Sequence, residues 1–136
     1  MELQVGVKVL LKNNQGQYLL VKRSSLKYPE GFPEWDIVGG RINPGTPLLE
    51  NLKREVKEEV NLNLEEGVKL IAAQDILRVP GRHVVRLTYL GEANGDPVLS
   101  DEHTEFKWFT MNEIKMLGEK ELDGYFKELI NQHYFL

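Results

Sequence analysis

The segment Arg54-Glu55-Val56-Lys57-Glu58-Glu59 sets three carboxylates at positions i, i+3 and i+4. On a helix with ~3.6 residues per turn they fall within an arc of about 100°. Carboxylates that close repel one another, so a helix gains from them only when positive charge sits opposite. A hard divalent cation such as Mg²⁺ or Mn²⁺ meets that need, because it prefers carboxylate oxygen. Glu55 and Glu59 flank the Leu52/Val56 stripe, which places them at the edge of a core. A plainer reading exists, in which Lys53, Arg54 and Lys57 pair with the acids on a solvated face. The residues before the helix favour the metal. Gly39-Gly40 directly follows a strand pattern, and a loop from Gly40 to Thr46 leads into the helix. Glycines there let the backbone approach a metal or a phosphate closely.

These groups need elements to hold them. Thr46 reads as the N-cap and Pro47 as the first helical residue, and Leu48, Leu52, Val56 and Val60 then recur every fourth position. Asn61 suits a left-handed helix end. Upstream, Val5, Val7, Val9 and Leu11 alternate with Gly6, Lys8, Leu10 and Lys12, the two-residue period of a strand. A turn at Asn13–Gly16 and the run Tyr18–Val21 predict a hairpin. Residues 24–34, with two prolines, read as a loop, and Trp35–Val38 as a short buried strand ending at the glycine pair. Downstream, 67–79 and 82–92 read as strands joined at Pro80-Gly81, and Thr104–Thr110 as an aromatic strand. Helices are expected near 111–117 and 121–133. Strands on both sides of one central helix, with helices closing the chain, predict an α/β fold: a mixed sheet flanked by helices, in one domain over residues 1–136.

Taken together, Trp35 to Leu62 resembles the Nudix hydrolase family, whose box reads G-x5-E-x7-R-E-U-x-E-E-x-G-U with U aliphatic. The register runs Gly40, Thr46, Arg54, Glu55, Val56, Glu58, Glu59, Asn61, Leu62, so the box spans 40–62. The hairpin before it and the strand containing Trp108 after it also look like this MutT-like, single-domain family, so the resemblance extends over nearly the whole chain. Asn61 stands for the box glycine, and Asn tolerates left-handed geometry. Val38 replaces a frequent proline. Thr46 replaces the first glutamate, which in the family braces the loop and the box arginine; threonine can cap the helix but carries no charge.

The resemblance implies an α/β/α sandwich and metal-dependent hydrolysis of a phosphoanhydride in a nucleoside diphosphate linked to another group. Mg²⁺, with Mn²⁺ as a substitute, would activate the attacking water. Glu55 and Glu59 would be ligands, Glu58 a further ligand or the residue orienting the water, and the Gly39 carbonyl would complete the shell. Arg54 would hold the glutamates. A further carboxylate, ligand or general base, is expected from the stretch before the tryptophan strand, with Glu102 preferred to Glu105. His103 reads as a surface or hydrogen-bonding histidine. Arg23 resembles a family position that contacts substrate. At period two, Arg82 and Arg86 share a face that lines a cleft or meets water, while His83, Val85, Leu87 and Tyr89 share a core face. Tyr28 and Phe32 can stack on a base or pack the loop down.

The alternative is a Nudix domain that binds a nucleotide as a sensor with weakened chemistry, as Thr46 would suggest. Paired-carboxylate glycosidase chemistry is set aside, because two acids on one helix cannot face each other across a bond. So is a calcium loop, since neither Asn13–Gly16 nor Asn94–Pro97 has the acid spacing. With 17 Lys and Arg against 21 Asp and Glu, a net charge of −4 argues against a polynucleotide partner. No apolar run is long enough to span a membrane. The absence of cysteine excludes disulfides and thiolate zinc, and fits a cytoplasmic setting. The box accommodates deoxynucleoside triphosphates, ADP-ribose, nucleotide sugars and dinucleoside polyphosphates, and a short single-domain chain leans toward a triphosphate. Oligomeric state is left open, a homodimer included.

Overall fold

The computed structural model describes residues 1–23 and 34–135. Tyr28 and Phe32 lie outside the described residues.

Alternation of apolar residues carries strand β1 from Glu2 to Lys12, longer than the Val5–Leu11 pattern alone marks. It turns at Asn13–Gly16 into β2 (Tyr18–Arg23), with Leu11 opposite Leu19 and Lys12 opposite Tyr18. The Asn13 carboxamide holds the turn by accepting from the backbone N–H groups of Gln15 and Gln17. The expected single strand at Trp35–Val38 is in fact two. β3 covers Trp35–Asp36 and pairs with β2, and β4 covers Val38–Arg41 and pairs with β1. The glycine pair therefore lies inside β4 rather than after it. Gly39, at φ +149°, could not carry a side chain, because a Cβ there would stand 2.0 Å from the Val7 carbonyl oxygen.

Helix α1 runs Leu48–Val60, one residue later than expected. Pro47 flanks it in extended geometry, and no side chain caps its first turn. Thr46 is not the cap; its backbone N–H closes a turn onto the Asn43 carbonyl. The far end follows expectation, with Asn61 left-handed at φ 54° and ψ 36°. Strands β5 (Lys69–Ile76) and β6 (Arg82–Glu92) form an antiparallel pair, and β7 (His103–Phe109) pairs with β2. Two short helices close the chain, α2 (Met111–Lys115), with a Thr110/Glu113 capping box, and α3 (Gly124–Asn131).

Among the described residues seven strands form one sheet, ordered β3-β2-β1-β6-β5, with β4 added to β1 and β7 to β2. The pairing of β1 with β6 is parallel and the other ladders are antiparallel, so the sheet is mixed. One core lies under α1, where Leu52, Val56 and Val60 meet Val7, Val9, Leu11 and Leu19. A second lies under α2 and α3, where Ile114, Phe126 and Leu129 meet Leu10 and Leu20. The β1 alternation thus feeds both layers, odd positions to one and Leu10 to the other. This is the expected α/β/α sandwich.

Candidate functional site

The box loop brings β4 against α1, and the contact is made by carboxylates on glycine. Gly39 donates its N–H to Glu59 Oε2 at 2.8 Å. A Cβ on Gly40 would lie 2.7 Å from Glu55 Oε2, so the missing side chain is the space the Glu55 carboxylate occupies. Arg54 Nη2 reaches Glu55 Oε1 at 3.1 Å and the Arg41 carbonyl at 3.3 Å. It is in contact with one of the glutamates, Glu55.

Burial of these acids is costly and shows in their protonation. Burial pushes the Glu59 carboxyl up to about 8, against the pull of Lys8 and with the push of neighbouring Glu55. Glu55 is raised too, first by burial, with Arg54 opposing and Glu58 adding to the rise. Glu58 itself is exposed. Glu102 is exposed as well, yet its charge contributes to the rise at both Glu55 and Glu59, which places it within their electrostatic reach. Glu105 instead pairs with Lys22 at 3.5 Å.

His103 is not a surface residue. Its side chain is 6% exposed, and Nε2 lies 3.7 Å from Glu59 Oε1. Burial, with Lys8 and Arg23 nearby, pushes the imidazole down to about 4. An imidazole pushed down by burial thus faces a carboxyl pushed up by burial. The ladder explains how it gets there. β7 and β2 shift register between Lys22 and Arg23, so Glu105 pairs with Lys22 and His103 with Arg23. Such a bulge re-aims the side chain beyond it; plain alternation puts His103 on the same face as Glu105.

Among the described residues no three carboxylate or histidine side chains already form a metal cage. The donor chemistry nevertheless fits a hard cation: two half-buried to buried carboxylates whose ionised forms have too little positive charge beside them, on a glycine backbone that admits close approach. Glu58 is exposed, three residues after Glu55 on the same helix.

Arginines collect around Gly6 of β1. Gly6 of β1 pairs with Arg41 on one flank and with Arg86 on the other, and the Arg41 side chain folds to within 3.9 Å of where a Gly6 Cβ would be. Burial and the nearby charges of Arg82, Arg23 and Arg78 push the Arg41 guanidinium down. Four arginines therefore gather here. Arg82 keeps a buried Nε with no hydrogen-bond partner. Arg41 was not singled out from sequence, because one basic residue after a glycine pair carries no pattern; the antiparallel register of β4 is what brings it beside Gly6.

Arg86 neither lines an open cleft nor faces water. It is 4% exposed, pairs with Asp123 at 3.0 Å and Asp36 at 3.2 Å, and lies over the Tyr125 ring. Asp123 also caps α3 by accepting from the Phe126 N–H. Arg86 thereby ties α3 to β3. On the other face of β6, Leu87 and Tyr89 pack into the core as expected, but His83 is half-buried and contacts Asp75.

Comparison with known proteins adds a second line of evidence. The NUDIX domain profile matches residues 2–129. A protein of Enterobacter sp. (strain 638) named nucleoside triphosphatase NudI is 32% identical over 119 residues, covering 79% of this chain and 83% of that protein. Its namesake in Salmonella agona is 31% identical, covering 78% and 82%. Among solved structures, the MutT NUDIX hydrolase of Burkholderia pseudomallei superposes with a TM-score of 0.78 at 26% identity, covering 97% of this chain and 98% of that one. The MutT protein of Methanosarcina mazei Go1 gives the same TM-score at 25% identity, covering 96% and 92%.

Proposed function

The chain belongs to the Nudix domain family, and from that premise we propose that it cleaves a phosphoanhydride of a nucleoside triphosphate at a site built on Glu55, Glu58 and Glu59. It is a hydrolase of pyrophosphate bonds. The observation that carries the site is the pair Glu55 and Glu59, buried against Gly39 and Gly40 with carboxyls raised by burial. Acids so placed are stabilised as anions only by a cation they can share.

In this reading Glu55 and Glu59 hold a divalent ion, with Mg²⁺ the working metal. Glu58 swings in as a further ligand or orients the water, and the Gly39 carbonyl supports the shell. When bound, the metal supplies charge neutralisation at the phosphates and a water of lowered pKa. Arg54 fixes Glu55 from behind. Glu102, rather than the Lys22-paired Glu105, serves as the distal carboxylate. Arg23, Arg41 and Arg82 face the phosphate chain, and Arg86 supports that surface through Asp36 and Asp123. A nucleoside triphosphate suits this surface because it carries charge beyond the scissile pyrophosphate, and the Enterobacter relative is named for that substrate class. A cytoplasmic setting completes the proposal.

The test is phosphate or pyrophosphate release from a panel of nucleoside triphosphates, nucleotide sugars, dinucleoside polyphosphates and ADP-ribose, with Mg²⁺, Mn²⁺ and EDTA in parallel. Metal-dependent turnover that is strongest on a triphosphate and lost in Glu59→Gln is expected. Nucleotide binding with no release on any substrate would point instead to a sensor.

A further inference from the structure

We propose that Asn51 is the positioning residue of the carboxylate site, fixing Glu55 through Arg54 and the box loop through its backbone. The proposal rests on the reading of Glu55 as a metal ligand.

Asn51 is fully buried, one of five buried polar or charged residues in the described structure. A carboxamide has two donor hydrogens and two acceptor directions, and here all four are used. Oδ1 accepts from the Asn43 N–H at 2.8 Å and from Arg54 Nη2 at 3.1 Å. Nδ2 donates to the carbonyls of Thr46 at 2.8 Å and Pro47 at 2.9 Å. One side chain thus grips the box loop at three points, on a helix whose first turn has no side-chain cap.

The same oxygen that accepts from the loop also accepts from Arg54, and Arg54 Nη2 goes on to Glu55 Oε1 and the Arg41 carbonyl. Arg54 Nε is buried and without a hydrogen-bond partner among the described residues, and the contacts to Asn51, Glu55 and the Arg41 carbonyl all run through Nη2. Deleting the Asn51 oxygen leaves the group that steadies Glu55 with one fewer anchor. On the helix, Asn51 lies three residues before Arg54 and four before Glu55, so all three share one side. Thr46 is uncharged, and its part here is played by its backbone, which accepts from Asn51 and donates to Asn43. A residue that only glued the loop would need the two carbonyl contacts and the Asn43 contact, and would have no reason to engage Arg54.

The two halves of the carboxamide can be separated by substitution. Asn51→Asp retains the acceptor toward Arg54 and Asn43 and loses both donations. Asn51→Ala loses everything. Mn²⁺ binding to the nucleotide-free protein, followed by electron paramagnetic resonance, reads the metal site without turnover, and thermal unfolding reads the loop. In Asn51→Ala, Mn²⁺ binding should weaken about tenfold, the scale at which residues orienting metal ligands act. In Asn51→Asp, binding should stay within about threefold of wild type while Tm falls. In an Arg54→Ala background, Asn51→Ala should change Mn²⁺ binding no further. Equal losses of binding in the Asp and Ala variants, additive losses with Arg54→Ala, or wild-type binding in Asn51→Ala would each overturn the proposal while leaving the Glu55 reading intact. Wild-type protein that binds no Mn²⁺ would overturn both.

Discussion

Asp36 and Glu59 are both carboxylates taken out of water, and both feel the charge of Lys8, yet they are held in opposite states. Burial alone would raise Asp36, but Lys8 at 3.2 Å and Arg86 at 3.2 Å overrule it, and the Ile37 N–H adds a third contact. Its carboxyl is held down at about 2. Among the described residues Glu59 has the Gly39 N–H and no Lys or Arg in contact, and it sits at about 8. The first cluster, closed by Arg86 to Asp123 and the cap of α3, is complete within the protein. The second has no such closure among the described residues, and in the proposed reading an ion from outside supplies it. A buried carboxylate therefore marks structure or function according to who neutralises it, which is a sharper criterion than burial or residue type.

The largest break in this comparison is Glu59→Gln. The amide keeps an acceptor for the Gly39 N–H but cannot become an anion. Turnover should fall by at least about 1,000-fold, ~4 kcal/mol in the barrier, measured as Mg²⁺-dependent phosphate release. Saturating Mg²⁺, which stabilises a protein that binds it, should raise the wild-type Tm and leave the variant unmoved. Asp36→Ala should do the reverse. It removes the carboxylate partner of Lys8 and leaves Arg86 with Asp123 alone, the two side chains being 13% and 5% exposed, and should cost ~3–5 kcal/mol of stability. Urea unfolding measures this. Where the variant remains folded, its Mg²⁺ activation constant should stay near that of wild type. A change in that constant as large as the stability loss would mean the two clusters are not separate.

The two regions were unequally legible in the sequence. Glu55, Glu58 and Glu59 could be read because helical spacing alone puts them on one side, and Gly39-Gly40 because glycine is required where backbone meets backbone. The hairpin, the β5–β6 pair and the left-handed Asn61 followed from local pattern in the same way. The Lys8–Asp36–Arg86–Asp123 cluster could not, since its members come from four separate elements and meet only through strand order. Asn51 was hidden for a different reason. It lies beside the apolar stripe at a position where a polar residue reads as solvent-facing, and only the folded box loop buries it. Of the two readings open for His103, surface or hydrogen-bonding, the structure removes the first, because a one-residue bulge before Arg23 turns it toward Glu59.

A smaller effect separates the two acids of the stretch entering β7. Glu102 contributes to the raised carboxyls of Glu55 and Glu59, whereas Glu105 is paired with Lys22 and 59% exposed. Glu102→Gln should lower turnover on the order of 100-fold, as expected for loss of a general base, and Glu105→Gln should change it by less than about twofold. Steady-state rates on the preferred triphosphate decide it. A larger loss from Glu105→Gln would move the distal role to that residue.

The smallest effect is the pH dependence of the metal-free fold, and its sign differs between the clusters. Asp36 has a folded value below its unfolded one, so its contribution is present above 3.8 and is lost as pH falls toward about 2. Glu59 runs the other way. Its folded value of about 8 lies above the ordinary 4.5, so the native state keeps a proton the unfolded chain has released, and stability declines as pH rises across that interval. His103, lowered from 6.5 to about 4, adds stability as pH rises between those values and offsets Glu59 there. The decline from Glu59 should therefore emerge between about pH 6.5 and 8, as a falling Tm in EDTA. Mg²⁺ should abolish that slope, because metal binding removes the proton in the native state, and Glu59→Gln should abolish it without metal. A slope that persists in the variant would place its origin outside the carboxylate site.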